Sequence, residues 1–95
     1  MVSFIVRLKF APEDRDEVAE MLRLLTEASR REPGCVNYIP HYAESEPDKV
    51  VIYEQYQSRE AEHAHRESEH FKKYAVGGLY QKMLERNRED MQALA

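Results

Sequence analysis

The chain has 95 residues, of which 42% are hydrophobic, and this is the size and composition of one domain with a modest core. Its 18 acidic and 14 basic residues alternate without forming a basic stripe, and the net charge is −4, which argues against a nucleic-acid partner. No apolar run approaches the roughly 18 residues of a membrane span. The N-terminus also lacks a signal-peptide pattern, so we expect no membrane association and a cytoplasmic location.

The first predicted element is a strand over residues 2–10. Its apolar residues recur at every second position, which is typical of a strand with one apolar face: Phe4, Val6, Leu8 and Phe10. A helix should follow, because Pro12 and the acidic residues after it suit a first helical turn. Its apolar residues have helical spacing: Val18, Met21, Leu22, Leu25 and Ala28.

Glu32-Pro33-Gly34 is predicted to end this helix and to lead into a second strand over residues 35–43. Cys35, the only cysteine, excludes a disulfide within the chain and a cysteine-based zinc site. We interpret it as a small buried hydrophobic residue rather than a reactive thiol. Pro40 cannot donate a backbone hydrogen bond, so this strand should have an edge or a bulge there.

A turn over residues 44–48 and a third strand over residues 49–57 should complete a hairpin. Alternation places one set of residues on a common face of the third strand: Val50, Ile52, Glu54 and Tyr56. Ser58 is a good N-cap for a short helix through about residue 66, and Ser68 is a good N-cap for a second helix. Gly77-Gly78 within that second helix predicts close packing or a bend.

Residues 87–94 could extend the last helix or form a short strand. We favour the strand, because the order β-α-β-β-α-β then completes an α+β, ferredoxin-like split βαβ arrangement. Such a fold has an antiparallel sheet with helices on one face, and we expect residues 1–95 to form it as a single domain.

The histidines do not predict a metal site. His63 and His65 lie on opposite faces of the predicted helix, so they cannot chelate one ion together. His65 and His70 lie on either side of the Ser68 break, and no histidine spacing typical of metal ligands occurs. We therefore predict neither a metal nor another cofactor.

An aromatic and imidazole set is the remaining candidate for a site between the sheet and the helices. Its predicted members are Tyr38, Tyr42, Tyr53, Tyr56, His65, His70, Phe71 and Tyr74. A histidine in such a pocket could exchange a proton with a phenol near neutral pH. His65 could equally lie on a solvated helix surface, whereas His41 and His63 are expected to be exposed.

Three segments together resemble the antibiotic biosynthesis monooxygenase family, from the first strand to about Met83. They are Glu32-Pro33-Gly34-Cys35 with Tyr38, then Tyr53-Glu54-Gln55-Tyr56 where the family commonly has Tyr-Glu-x-Trp, and Ala64-His65 followed by Ser68-x-His70-Phe71. The resemblance implies a homodimer in which two sheets form a dimeric α/β barrel, with a cavity in each subunit.

The resemblance also implies a range of activities: cofactor-independent oxygenation of quinols and polyketide phenols, heme degradation, or isomerisation of small signalling carbohydrates. The positions that bind heme in one branch correspond to Val6, His65 and Ala75, so heme breakdown is not expected. The chain has no tryptophan, which other phenol-oxidising members use in the second helix.

The resemblance therefore points to a small monooxygenase acting on a quinol or phenolic substrate with O₂ and no cofactor. His65 is the expected base, and the expected substrate-binding residues are Val6, Tyr38, Glu54, Tyr56, His70, Phe71 and Tyr74. Two alternatives stay open: an isomerase or ligand-binding dimer for a small metabolite without oxygen chemistry, and a structural or regulatory dimer.

Overall fold

A computed structural model describes residues 1–95. The strands are β1 (Val2–Lys9), β2 (Cys35–Ala43), β3 (Glu46–Tyr56) and β4 (Glu85–Met91). The helices are α1 (Arg15–Arg30), which follows a 3₁₀ turn at Pro12–Asp14, α2 (Arg59–Glu67) and α3, which has π geometry over Phe71–Leu79 and α geometry over Tyr80–Lys82. This element order confirms the predicted fold, including the C-terminal strand. None of the helices has the length and apolar character that a membrane crossing requires.

The four strands form one antiparallel sheet in the order β2-β3-β1-β4. Pro40 lies in the edge strand β2, as its missing N–H requires. The pairing of β2 with β3 shifts register between Cys35 and Asn37, so an irregularity interrupts the alternation expected for this strand. Val36 lies at this irregularity and is exposed; Tyr42, near the end of the strand, is also exposed, and Tyr38 is the buried residue of β2.

The β2–β3 hairpin differs from the prediction at its turn. Residues 44–48 were expected to be the turn, but β3 already begins at Glu46 and only Glu44 and Ser45 connect the strands. Ala43 pairs with Glu46, so the ladder of the hairpin extends past the end of β1. The pairing of two long neighbouring strands outweighs the turn propensity of Pro47 and Asp48.

The core lies between the helices and one face of the sheet. Its sheet side contains the predicted alternating residues of β1, all of them buried: Phe4, Val6 and Leu8, with Phe10 just beyond the strand. Its helix side contains Val18, Leu22, Leu25, Ala75 and Leu79. Gly78 of α3 contacts α1 so closely that an added Cβ would lie 2.6 Å from Met21 Sδ, which agrees with the close packing predicted for the glycine pair.

Candidate active site

The loop between α1 and β2 delivers Glu32 to the site. Pro33 ends α1, and the turn is closed by a hydrogen bond from the Cys35 N–H to the Glu32 carbonyl at 3.1 Å. Gly34 lies directly against Ala61 of α2, because a Cβ added at Gly34 would be 2.3 Å from the Ala61 Cβ. The loop and α2 are therefore in direct contact, and Glu32 faces the residue one turn further along α2.

That residue is His65, which is 2% exposed. Its Nδ1 lies 2.8 Å from Glu32 Oε2. An ionised carboxylate can only accept a hydrogen bond, so Nδ1 carries the proton and Nε2 keeps its lone pair. His65 is thus a buried imidazole with one nitrogen held and the other free to act as an acceptor.

Ser68 places His70 beside the same carboxylate. The Ser68 hydroxyl donates to the His65 carbonyl at 2.6 Å and accepts from the Phe71 N–H at 3.2 Å, so it ends α2 and supports the start of α3. His70 Nε2 lies 2.5 Å from Glu32 Oε2, and its side chain is 22% exposed. One carboxylate oxygen therefore accepts hydrogen bonds from two imidazoles.

Glu54 and Tyr56 of β3 lie on the other side of His65. Tyr56 donates its hydroxyl proton to Glu54 Oε1 at 2.7 Å, and this oxygen is 3.7 Å from His65 Nε2. Burial raises the pKa of Glu54, against the opposing effects of the Tyr56 hydrogen bond and of nearby His65. Burial, together with the charge of Glu54, also raises the pKa of Tyr56. Burial therefore favours the protonated, neutral forms of Glu54 and Tyr56.

Aromatic rings enclose the His65 imidazole. Its ring centroid lies 5.1 Å from those of Tyr56 and Phe71 and 5.7 Å from that of Tyr38. Burial raises the pKa of Tyr38 well above its ordinary value, so this phenol stays protonated near neutral pH. These three rings pack around His65, and their role as walls of a substrate pocket stays a prediction.

Two small cavities lie beside these groups, of about 30 and about 20 Å³. Four residues line both: Val6, Glu54, Phe71 and Tyr80. An apolar cavity that accepts a benzene ring has a volume of about 150 Å³, so neither cavity holds an aromatic substrate in this conformation. His65 is buried as the pocket hypothesis requires, whereas the small volumes are what a non-catalytic dimer would have.

Charged residues also line the cavity of about 30 Å³. Arg88 Nη1 donates to the buried Glu62 carboxylate at 2.8 Å, and the Arg88 guanidinium lies 3.8 Å from the centroid of the Phe4 ring. The Arg86 guanidinium lies 5.4 Å from the centroid of the Tyr80 ring. Both arginines therefore line the same cavity as His65, on its β4 side.

Other predicted members of the site lie elsewhere. Tyr74 is half-buried against the core and does not line either cavity, because its ring lies beside Lys73. Tyr53 faces away from the helices, since it alternates with the buried residues of β3. His41 and His63 are exposed, as expected.

Larger concavities occur only at the surface. One of about 340 Å³ is lined mainly by charged residues at the end of the sheet, and one of about 200 Å³ lies between α1 and β2. His65 lines neither of them. We therefore assign the site by its buried polar network, because His65, Glu32 and Glu54 meet there and none of them lines either surface hollow.

Glu32 is the site residue that sequence reasoning missed as a functional group. It stands in the Glu-Pro-Gly-Cys segment that carries the resemblance, but it was interpreted only as part of a helix stop. A helix stop does not need a carboxylate at that position. The presence of one is the signal that could have identified Glu32 as a functional group. The contact with His65 and His70 spans more than 30 residues of chain, which no local spacing rule reaches.

The sequence model of the antibiotic biosynthesis monooxygenase family matches residues 1–76. The chain belongs to this family. A search of curated proteins found no match to the chain. The predicted resemblance is thus confirmed, and the Glu32, His65 and His70 network lies entirely within the matched residues.

Solved structures agree with this assignment. An antibiotic biosynthesis monooxygenase is 26% identical with a TM-score of 0.93, and a provisionally named member from Nitrosomonas europaea is 26% identical with a TM-score of 0.92, each covering 100% of both chains. A Bacteroides thetaiotaomicron protein of unknown function, described as a possible oxidoreductase, is 26% identical over 97% of this chain and 96% of its own, with a TM-score of 0.88. The first two of these relatives are named as monooxygenases.

Proposed function

We propose that the protein is a cofactor-independent monooxygenase that acts on a quinol or another phenolic small molecule, with O₂ as co-substrate. The observation that carries this proposal is the buried His65 imidazole, whose Nδ1 is held by Glu32 while Nε2 stays free as an acceptor. Monooxygenase names among the relatives support the same reaction class. The proposal keeps the cytoplasmic location expected from the sequence.

In the proposed first step, His65 Nε2 accepts the phenol proton of the substrate. The imidazolium that forms is stabilised by the Glu32 carboxylate 2.8 Å from Nδ1. The phenolate then supplies electrons to O₂ without a cofactor. One oxygen atom enters the ring as a carbonyl, and the other leaves as water with the two hydrogens of the phenol O–H and the ring C–H.

The two cavities hold only about 30 and about 20 Å³, so substrate entry requires them both to join and to widen. Phe71 and Tyr80 line both, and their rings meet edge to face with centroids 6.0 Å apart. Phe71 begins the π-helical part of α3 and Tyr80 directly follows it, and π-helical geometry often occurs at functional sites. We propose that rotation of these two rings opens one pocket beside His65 and that the aromatic walls then exclude water from the phenolate.

Oxygen uptake by the wild type and by His65→Gln, measured with a panel of quinols and corrected for autoxidation, tests the proposal. We expect His65→Gln to lower kcat by about 10²- to 10⁴-fold, the usual contribution of a general base. His63→Gln is the matched control, because His63 lies on the same helix with its side chain 67% exposed. Equal rates for wild type and His65→Gln would overturn the proposal.

Oxygen uptake together with a measurement of ligand binding separates the alternatives. Stoichiometric binding of a small metabolite without O₂ consumption would favour an isomerase or a ligand-binding protein. We also propose that the protein acts as a homodimer, with one site in each subunit.

A further inference from the structure

We propose that Glu32, His65 and His70 form a binding site for a divalent first-row transition-metal ion. A carboxylate oxygen, an Nδ1 and an Nε2 from these residues all lie within 4.8 Å of one another. Ligands bound to one tetrahedral ion at about 2.0–2.2 Å are about 3.3 Å apart, so a small withdrawal of the carboxylate makes room for the ion. Two imidazoles and one carboxylate are a donor set that binds Zn²⁺ and its neighbours in the series.

The three ligands are held in advance by the fold. Glu32 comes from the α1–β2 loop, His65 from α2 and His70 from the start of α3, and contacts outside the site fix each element. The three side chains are 14%, 2% and 22% exposed, respectively, so an ion can enter from the His70 side. Little conformational entropy remains to be lost when an ion binds.

One buried oxygen atom of the Glu32 carboxylate also lacks a hydrogen-bond partner. Glu32 Oε1 is shielded from solvent and makes no hydrogen bond, although its sister oxygen accepts two. An unsatisfied buried carboxylate oxygen is costly. Coordination of an ion by both oxygens would satisfy it.

Glu54 supplies the outer partner that metal-bound histidines usually have. When Nδ1 of His65 binds an ion, the ring proton moves to Nε2, and Glu54 Oε1, now 3.7 Å away, would accept it after a short approach of the two side chains. A carboxylate that accepts the second ring N–H orients the imidazole and raises its basicity as a ligand. The order Glu54, His65, metal therefore needs only a short movement of Glu54 or His65 to form.

Metal binding and the proposed base catalysis exclude each other, and this consequence rests on the proposed function. A His65 ring that carries its proton on Nε2 cannot accept a proton from a phenol. Zn²⁺ should therefore suppress any oxygen uptake that depends on His65.

Titration with Co²⁺, followed by its visible absorption, and equilibrium dialysis with Zn²⁺ test the site. We expect one ion per chain in the wild type. Binding should persist in the control variants His41→Gln and His63→Gln, whose imidazoles are exposed. The affinity should fall at least 100-fold in His70→Ala and in Glu32→Gln, and Zn²⁺ should raise the midpoint of thermal unfolding in the wild type but not in these two variants.

Far-UV circular dichroism shows which variants are folded, and the partly exposed position of His70 makes His70→Ala the safer of the two. Equal binding by wild type and folded His70→Ala, or no binding by the wild type, would overturn the inference. Oxygen uptake without metal binding would leave the proposed function intact. Metal binding by a protein that, once freed of metal, takes up no oxygen with any quinol or phenol would refute that function and leave the metal site standing.

Discussion

A single carboxylate oxygen organises the site at the scale of residues. Glu32 Oε2 accepts from His65 and His70, and this pair of hydrogen bonds sets which nitrogen of His65 faces Glu54. Buried polar groups connected in this way depend on one another, because each unpaired member would cost free energy in a low-dielectric interior. Removal of the Glu32 carboxylate should therefore change which nitrogen of His65 carries the proton, although His65 itself is not substituted.

Cys35 gives a prediction at the same scale. Burial, followed by the charges of Glu32 and Glu54, raises the pKa of its thiol to about 11. At pH 8 the thiolate fraction should then be about 100-fold lower than in an ordinary thiol, and only the thiolate is nucleophilic. Iodoacetamide labelling followed by mass spectrometry should be slow in the folded protein and fast in urea. Equal labelling rates in both states would contradict this prediction.

Loops and helix ends position the site at the scale of elements. Ser68 ends α2 and starts α3, so the two histidines on either side of it converge on Glu32 instead of diverging along one helix. Gly34 lets α2 approach the loop that carries Glu32. A side chain at residue 34 would separate these elements.

Gly34→Ala should therefore lower the free energy of unfolding by about 1–3 kcal/mol, the usual effect of overpacking. Its Cβ would lie 2.3 Å from the Cβ of Ala61, which cannot move aside as a flexible side chain would. Urea denaturation of Gly34→Ala, Ala61→Gly and the double variant measures the effect. The double variant should be more stable than the sum of the single changes predicts, and simple additivity would show that the contact is not responsible.

One face of the sheet is left uncovered at the scale of the whole molecule. The helices cover the side of Phe4 and Val6, while the opposite side carries an apolar row across three strands. Ile39 of β2 pairs with Tyr53 of β3, which pairs with Ile5 of β1. A continuous apolar row on an open sheet face suits a second copy of the chain.

We expect light scattering to give about twice the 11.2 kDa mass of one chain. Tyr53→Asp should shift the protein toward the monomer, because the partner would have to bury an unpaired charge. Val76→Asp is the control, since Val76 is exposed on α3, away from the sheet face. A wild-type mass of 11.2 kDa, or dissociation of both variants alike, would contradict the proposed dimer.

Most of the fold follows from local patterns in the chain. Alternation in β1, helical spacing in α1, the Ser58 cap and the missing N–H of Pro40 each act within a few residues, and each predicted its element. The same alternation placed Glu54 and Tyr56 on one face with Val50 and Ile52, which the structure shows to be the core face, and the family resemblance singled out His65. The predicted position of the β2–β3 turn was wrong, because strand pairing across the sheet decides where a hairpin ends.

The sequence by itself determined the order of the elements, the family and the residue types near the site. Only the tertiary structure decided that Glu32 joins His65 and His70, that Tyr53 and Tyr74 lie outside the cavities, and that Phe71 and Tyr80 line both cavities. Periodicity and capping depend on near neighbours in the chain. Hydrogen bonds between side chains and the size of a cavity depend instead on how separate elements pack.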